Sequence, residues 1–313
     1  AVFLEFENHG GWGSMGLTLM SGQISALYGL MFNDAAAHMA EEVKDASLTV
    51  PLAMFYSYLV NGTLGLLVLV TFLFALPSVP LALAHHSGYP FLYVFSTAMP
   101  ATATNILSAL ILVLYIASSI AFNASTARQT FAFARDGGLP FSAWLSRVHP
   151  TLKIPANAVW ASCILSVLLN LLNLGSTSAF NAIVSLQLVA LMFTYILSIS
   201  CVLARRLKGP EHLPHARWSL GRYGVAVNVT SIVYACFAFF WCFWPITAEV
   251  DAESFNWAPV IFGVVMVTCL GMYVFGRGGS GYRSPVVMVD DGFLAERRIE
   301  GFGPVKGGVM GLG

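Results

Sequence analysis

Charged residues are scarce in this sequence of 313 residues: Lys, Arg, Asp and Glu together make up 10% of it, against about 25% in soluble globular domains. Fifteen basic and fifteen acidic residues give a net charge of zero, so the chain lacks the excess positive charge that nucleic-acid binding needs. The five cysteines form no CxxC motif and lie in apolar stretches, which argues against a disulfide framework and a metal site. The sequence as a whole is 57% hydrophobic, with a mean hydropathy of +0.75, which indicates an integral membrane protein.

Seven segments of the chain are apolar and long enough to cross a membrane, which takes about 20 residues of α-helix. No charged residue occurs between Asp45 and Arg128, a stretch that holds two of these segments. The sequence therefore predicts an all-α integral membrane protein with seven transmembrane helices. The predicted spans are 11–32, 50–76, 101–127, 156–174, 179–204, 223–247 and 257–276.

All fifteen Lys and Arg residues lie on one side of this predicted topology. They occupy the loops after the first, third and fifth spans and the segment after the seventh. Because an excess of basic residues marks cytoplasmic loops, we expect the N-terminal end outside and residues 277–313 as a flexible cytoplasmic tail. We expect such a multi-pass protein in the plasma membrane rather than the vacuolar membrane. The charged residues of the outer side are all acidic: Glu5, Glu7, Glu249, Asp251 and Glu253.

One polar stretch, LMFNDAAAHMAEEV, follows the apolar part of the first span. A carboxylate at membrane depth costs roughly 2.5–3.5 kcal/mol and normally faces the bundle interior or an aqueous cavity. Gly29 and Asn33 weaken a helix, whereas the alanine-rich run after Asp34 favours one. We therefore predict two half-helices with an irregular join near 29–33, the second beginning at Asn33 or Asp34. Such breaks are tolerated where they line a cavity. The alternative is that Asp34 lies near the cytoplasmic interface and only caps a helix.

Asp34, His38 and Glu42 recur at intervals of four residues, which would place them on one face of a continuous helix. Because histidine changes charge near neutral pH, this row could pass protons between membrane depth and cytoplasm. The alternative is that Glu41 and Glu42 are solvated residues at a helix end, and we favour it for these two. His38 fits either interpretation.

Polar side chains also occur inside later spans, namely Asn123 in the third and Gln187 and Thr194 in the fifth. Gln187 and Thr194 are seven residues apart and so share a helix face. These three residues could line a translocation path or mediate helix packing, and both interpretations stay open. The loop after the third span, 127–155, interleaves aromatic and basic residues, and Gly137 with Gly138 divides it into two short amphipathic pieces.

Two stretches resemble one known superfamily. YGLMFNDAAAHMAEEVKDASLTVPLA is similar to the sixth helix of the amino acid–polyamine–organocation transporters, and NASTARQTFAFARDGGLPFSAWLSRV is similar to their eighth helix and the loop after it. The form AHMAEEVKDA is most similar to fungal amino acid, GABA and choline permeases. The resemblance covers about 12–276.

The resemblance implies a LeuT-like fold of twelve helices built from two inverted five-helix repeats. This chain would supply helices six to twelve: the second repeat at about 11–204 and two further helices at about 223–276. We therefore expect a fragment that lacks the first repeat. In the family, substrate contacts the unwound middle of helix six, which corresponds here to Tyr28, Gly29, Phe32 and Asn33. Asp34 matches a position linked to proton coupling, and near Phe32 relatives often have a small Gly.

These observations favour a secondary active transporter that moves amino acids or amines such as GABA or choline by alternating access, with protons as coupling ion. Its expected partners are the small-molecule substrate and the lipid bilayer; no cofactor and no enzymatic chemistry are expected. One alternative is a seven-helix receptor-like protein. The lack of extracellular cysteines disfavours it, as does the resemblance of the 127–155 loop to the transporter superfamily. A truncated product that does not transport is another.

Overall fold

The computed structural model describes residues 6–276 apart from 9, 176, 210–212, 214–216, 246 and 252–254. The predicted tail, 277–313, lies outside these described residues, as do Glu5 and Glu253 of the outer acidic set. Every regular element in the described part is helical, which confirms the all-α fold class.

Long apolar helices dominate the chain and alternate with short ones. Six described segments are long and apolar enough to cross a membrane, with α1 and α2 counted as one segment; the searched apolar part of α8, Ala156–Leu172, is shorter. Each of the seven predicted spans thus corresponds to an apolar helix. In chain order the α-helices are α1 Met15–Leu30, α2 Ala35–His38, α3 Ala46–Ala75, α4 Val79–Leu83, α5 Pro90–Ala98, α6 Ala101–Arg135, α7 Ser142–Leu145, α8 Ala156–Gly175, α9 Thr177–Lys208, α10 Gly224–Cys242 and α11 Ala258–Gly276.

The end of α6 differs from its prediction, because this helix continues two turns beyond residue 127 into the segment that was expected to be a loop. Gly137 has a φ of +76°. The N–H groups of Gly137 and Gly138 donate to the carbonyl oxygens of Ala134 and Phe133, each at 2.9 Å. This pattern is the Schellman motif, in which glycine accepts the left-handed conformation that ends a helix. The first predicted amphipathic piece is therefore the end of α6, and the second contains α7.

The chain divides into two compact units, Ala1–Thr126 with Cys163–Val267 and Ala127–Ser162 with Thr268–Gly313. The core of the first unit lies where α1, α9, α10 and the start of α11 meet, and α9 and α10 form its most extensive helix pair. Phenylalanine rings pack edge to face in this core, with the centroids of Phe239 and Phe243 4.7 Å apart. Its buried residues are Leu27, Leu188, Val189, Met192, Ala238, Cys242 and Ala258.

Helix α3 contrasts with this core because one of its turns exposes apolar side chains on every side. Leu66, Leu67, Val68 and Leu69 are 55–61% exposed. Four consecutive residues go once around an α-helix, so at this level no described residue covers any face of α3. Such a surface suits lipid or further transmembrane helices.

Candidate functional site

The predicted break in the first span is present, two residues further along the chain than expected. α1 ends at Leu30, and Met31 is extended although its N–H still donates to the carbonyl of Leu27 at 3.0 Å. Phe32 has a φ of +72°, and α2 begins only at Ala35. Gly29 remains helical, so the irregular segment is 31–34.

The second half-helix is shorter than its sequence predicts. α2 ends after one turn at His38, and a 3₁₀ turn, Ala40–Glu42, follows it. The alanine-rich run favours a longer helix, but the chain must turn into α3, whose first residue is Ala46, and this tertiary constraint overrides propensity. The predicted common face therefore holds for Asp34 and His38 but does not extend to Glu42.

Glu41 and Glu42 are both exposed on the 3₁₀ turn. Their exposure agrees with the interpretation of these two residues as solvated groups at a helix end.

Phe32 occupies a backbone conformation that favours glycine. A non-glycine residue in a sparsely populated region costs on the order of 1–3 kcal/mol and persists only where its surroundings hold it. Here two rings hold it: Phe122 of α6 packs edge-on at 5.9 Å between centroids, and Tyr28 lies at 6.3 Å. The left-handed φ gives a physical reason why a small Gly suits this part of the fold.

The break leaves several backbone groups open. Among the described residues, the carbonyls of Tyr28 and Gly29 accept no backbone hydrogen bond, and the N–H groups of 32–34 donate none. The Leu30 carbonyl is satisfied by a side chain, since Asn33 Nδ2 donates to it at 3.0 Å. Within the described part of the chain, the end of α1 therefore has two carbonyl acceptors without a partner, at the negative end of a helix dipole.

Contacts to neighbouring helices show the depth of the break. Asn33 Oδ1 accepts a hydrogen bond from the Ser57 hydroxyl at 3.2 Å, and Ser57 lies 11 residues after the first residue of α3, roughly 17 Å along the helix. Asp34 interacts with Tyr195, which lies 13 residues before the end of α9 at Lys208, or roughly 20 Å. These distances favour membrane depth over a position at the cytoplasmic interface.

Asp34 and His38, predicted as a pair, are brought together with residues of two other helices. His38 Nε2 lies 3.7 Å from Asp34 Oδ2, and His38 Nδ1 lies 3.1 Å from the hydroxyl of Ser125, a buried residue of α6. Tyr195 of α9 is the fourth member of this cluster. The sequence showed Ser125 and Tyr195 only as polar residues inside spans, and nothing in it linked them to Asp34.

Tyr28 connects the break to the core. Its hydroxyl donates to the main-chain carbonyl of Val184 on α9, and its ring packs against the buried cluster. The Tyr28 hydroxyl therefore links α1 to α9, and a role of Tyr28 in substrate binding stays a prediction.

The three residues predicted as path-lining do not form one group. Asn123 Nδ2 donates to Cys163 Sγ of α8 at 3.2 Å and lines an open groove of about 430 Å³ beside Tyr115 and Ser119. Gln187 and Thr194 are exposed and share a face of α9 away from the buried Leu188, Val189 and Met192. Their role in a path stays a prediction.

A set of apolar helices with an irregular join at membrane depth defines a multi-pass membrane protein of the helical class. Within that class the sequence matches the amino acid permease family over residues 4–267, and the chain belongs to this family.

Individual relatives agree with this assignment. The chain is 30% identical over 259 residues to a Macrophomina phaseolina protein described as an amino acid/polyamine transporter, covering 82% of this chain and 57% of the relative. It is 28% identical over 261 residues to a choline transporter of Saccharomyces cerevisiae, covering 83% and 46%. It is 31% identical over 238 residues to a thiamine transporter of Schizosaccharomyces pombe, covering 75% and 40%.

The chain spans about half the length of the curated relatives it matches. No solved structure gives a significant match. Family membership favours a transporter over the receptor-like alternative.

Proposed function

We propose that this chain is the C-terminal half of a secondary active transporter for substrates that carry a positively charged nitrogen, such as amino acids, GABA or choline. The observation that carries the proposal is the break in the first span, where the Tyr28 and Gly29 carbonyls are open at membrane depth. Carbonyl oxygens at the C-terminal end of a helix attract cations, and broken helices of transporters use them in this way.

The names of the relatives support the same chemistry. Choline is a quaternary ammonium ion, thiamine contains a quaternary ring nitrogen, and amino acids and polyamines carry ammonium groups. Beside the open carbonyls lie the rings of Tyr28 and Phe32, and aromatic faces also bind quaternary ammonium groups. A positive nitrogen is what these substrates share, so the end of α1 is its proposed binding place.

Proton coupling is part of the proposal and rests on the cluster of Asp34, His38, Ser125 and Tyr195. A carboxylate and an imidazole 3.7 Å apart can exchange a proton with a small rearrangement, and intramembrane carboxylate and histidine groups serve as relays in transporters. The cluster joins α2 to α6 and α9, so a change in its charge would act on three helices at once.

The remaining parts of the proposal concern the whole protein. We place the basic loops and 277–313 on the cytoplasmic side and the protein in the plasma membrane. The first five-helix repeat would come from sequence beyond this chain, and it would supply the other half of the substrate site. This chain alone would then not transport.

Uptake measurements test the proposal. The full-length form, expressed in a transport-deficient cell, should accumulate at least one of labelled choline, GABA or amino acids. Tyr28→Phe retains the ring and the carbonyl and should still transport, whereas Tyr28→Ala loses the ring and should raise KM. Failure to accumulate any substrate of this class, with the protein present at the cell surface, would contradict the proposal.

A further inference from the structure

α3 contributes two polar side chains at the level of the break, and sequence reasoning did not connect them with it. α3 runs from Ala46 to Ala75, so Asn61 lies at its middle, about 22 Å from either end. A polar side chain at the centre of a transmembrane helix needs a partner. Asn61 Nδ2 donates to the Ser57 hydroxyl at 3.2 Å, and this hydroxyl donates to Asn33 Oδ1 at 3.2 Å.

The direction of this chain of hydrogen bonds is set by the backbone at its far end. The Leu30 carbonyl can only accept, so Asn33 must turn its NH₂ group toward it, as it does at 3.0 Å. Asn33 Oδ1 then faces Ser57, which must donate. The lone pairs of the Ser57 oxygen are left for the NH₂ group of Asn61. Each group thus fixes the orientation of the next, and such chains strengthen cooperatively.

This chain of hydrogen bonds determines which carbonyl acceptors at the end of α1 stay open. Because the Asn33 NH₂ group is held on the Leu30 carbonyl, it cannot turn to the carbonyls of Tyr28 or Gly29. Without Ser57, the Asn33 amide keeps only its bond to the Leu30 carbonyl and leaves this orientation more often. It would then compete with a bound ammonium group for those two carbonyls.

We infer that Ser57 and Asn61 are positioning residues of the substrate site: they orient the Asn33 amide and so keep the Tyr28 and Gly29 carbonyls free for a cationic substrate. This inference rests on the proposed function and extends the site from α1 and α2 onto α3. It assigns a role to α3, whose other faces at this depth carry apolar exposed side chains.

A double-mutant cycle tests the inference in the full-length form, with uptake kinetics as the readout. Ser57→Ala should raise KM about three- to tenfold, the effect of one typical hydrogen bond, with the maximal rate per surface protein little changed. Asn61→Leu should also raise KM. Ser57→Thr keeps the hydroxyl, so its KM should stay close to that of the unmodified protein. In the Asn33→Ala background Ser57→Ala should add nothing, because the residue through which Ser57 acts is gone.

Thr63→Val is the matched control, since the Thr63 hydroxyl bonds the Leu59 carbonyl of its own helix at 2.8 Å and not the break. It should leave KM unchanged. A KM effect of Ser57→Ala that persists in the Asn33→Ala background, or an equal effect of Thr63→Val, would overturn the inference.

Thermal unfolding of the same variants in detergent separates this inference from the proposed function. Asn33→Ala and Ser57→Ala should be non-additive in their effect on the melting temperature even if no substrate is transported. Absence of uptake with non-additive melting temperatures would refute the function and leave the network standing. Additive melting temperatures would refute the network.

Discussion

At the scale of single residues, Phe32 shows most clearly which forces act at the break. Its backbone has the left-handed φ of +72°, which disfavours any side chain, yet its ring is wedged between Tyr28 and Phe122. Two opposing terms therefore act on one residue: backbone strain destabilises it and aromatic packing stabilises it. One substitution can remove the ring alone, and another can remove the ring together with the backbone strain. Comparing the two separates these contributions to stability.

Phe32→Gly should be more stable than Phe32→Ala by about 1 kcal/mol, because both lose the ring contacts but only glycine relieves the left-handed backbone. Thermal unfolding in detergent, followed by tryptophan fluorescence, measures the difference. Phe193, inside α9, is the control, and there the order should reverse, since glycine destabilises a helix interior relative to alanine. The same order at both positions would contradict the assigned φ.

A second residue-scale prediction concerns Asp34. If its carboxylate takes part in proton coupling, Asp34→Asn should flatten the dependence of uptake on external pH, because an amide cannot bind and release the proton. His38→Gln should alter the same profile, since His38 lies 3.7 Å from the carboxylate. Glu42→Gln is the control and should leave the profile unchanged, as Glu42 is exposed on the 3₁₀ turn. An unaltered profile in Asp34→Asn would remove Asp34 from any proton role.

At the scale of helices, sequence reasoning recovered the apolar segments and the existence of the break, but not its partners. Gly29, Asn33 and Asp34 signal an interruption through local propensity, which a sequence displays directly. The contact between Asn33 and Ser57 joins residues 24 positions apart and depends on how α1 and α3 pack. No periodicity encodes such a contact. The shortness of α2 was missed for the same reason: the need to turn into α3 outweighs the helix preference of an alanine-rich run.

Helix ends provide an element-scale prediction. Gly137→Ala should destabilise the protein by about 1–2 kcal/mol, because Gly137 ends α6 with a φ of +76° and an alanine is strained there. Gly65→Ala is the matched control: Gly65 lies inside α3 with no atom within 4 Å of an added Cβ, so alanine should be neutral or stabilising. Thermal unfolding of the two variants measures both effects, and equal loss of stability would contradict the Schellman end of α6.

At the scale of the whole molecule, the distribution of basic residues and the exposure of apolar side chains are both typical of a membrane protein. The basic residues of the sequence lie on one side of the predicted topology, and residues 66–69 of α3 expose apolar side chains around one full turn of the helix. The first property predicts the orientation of the chain, and the second suits contact with lipid or with further transmembrane helices. Membership of the amino acid permease family supports the proposed transport function, which the fold alone does not specify.

Topology can be measured in intact cells. His86→Cys, in the segment between α4 and α5, should react with a membrane-impermeant maleimide from outside. Ser219→Cys, beside the basic residues Arg217 and Arg222, should react only after permeabilisation. Both positions are exposed, and the native cysteines lie in apolar segments. The reverse pattern of labelling would invert the predicted orientation.

The central claim is that a positively charged nitrogen binds the open carbonyls at the end of α1. Competition for uptake in the full-length form tests it most directly, with choline and its neutral isostere 3,3-dimethyl-1-butanol as competitors of a labelled substrate. These two molecules match in shape and differ in charge. Choline should inhibit uptake at concentrations at least tenfold lower than the neutral alcohol, a difference of about 1.4 kcal/mol. Equal inhibition by the two molecules would contradict a site built for a cation.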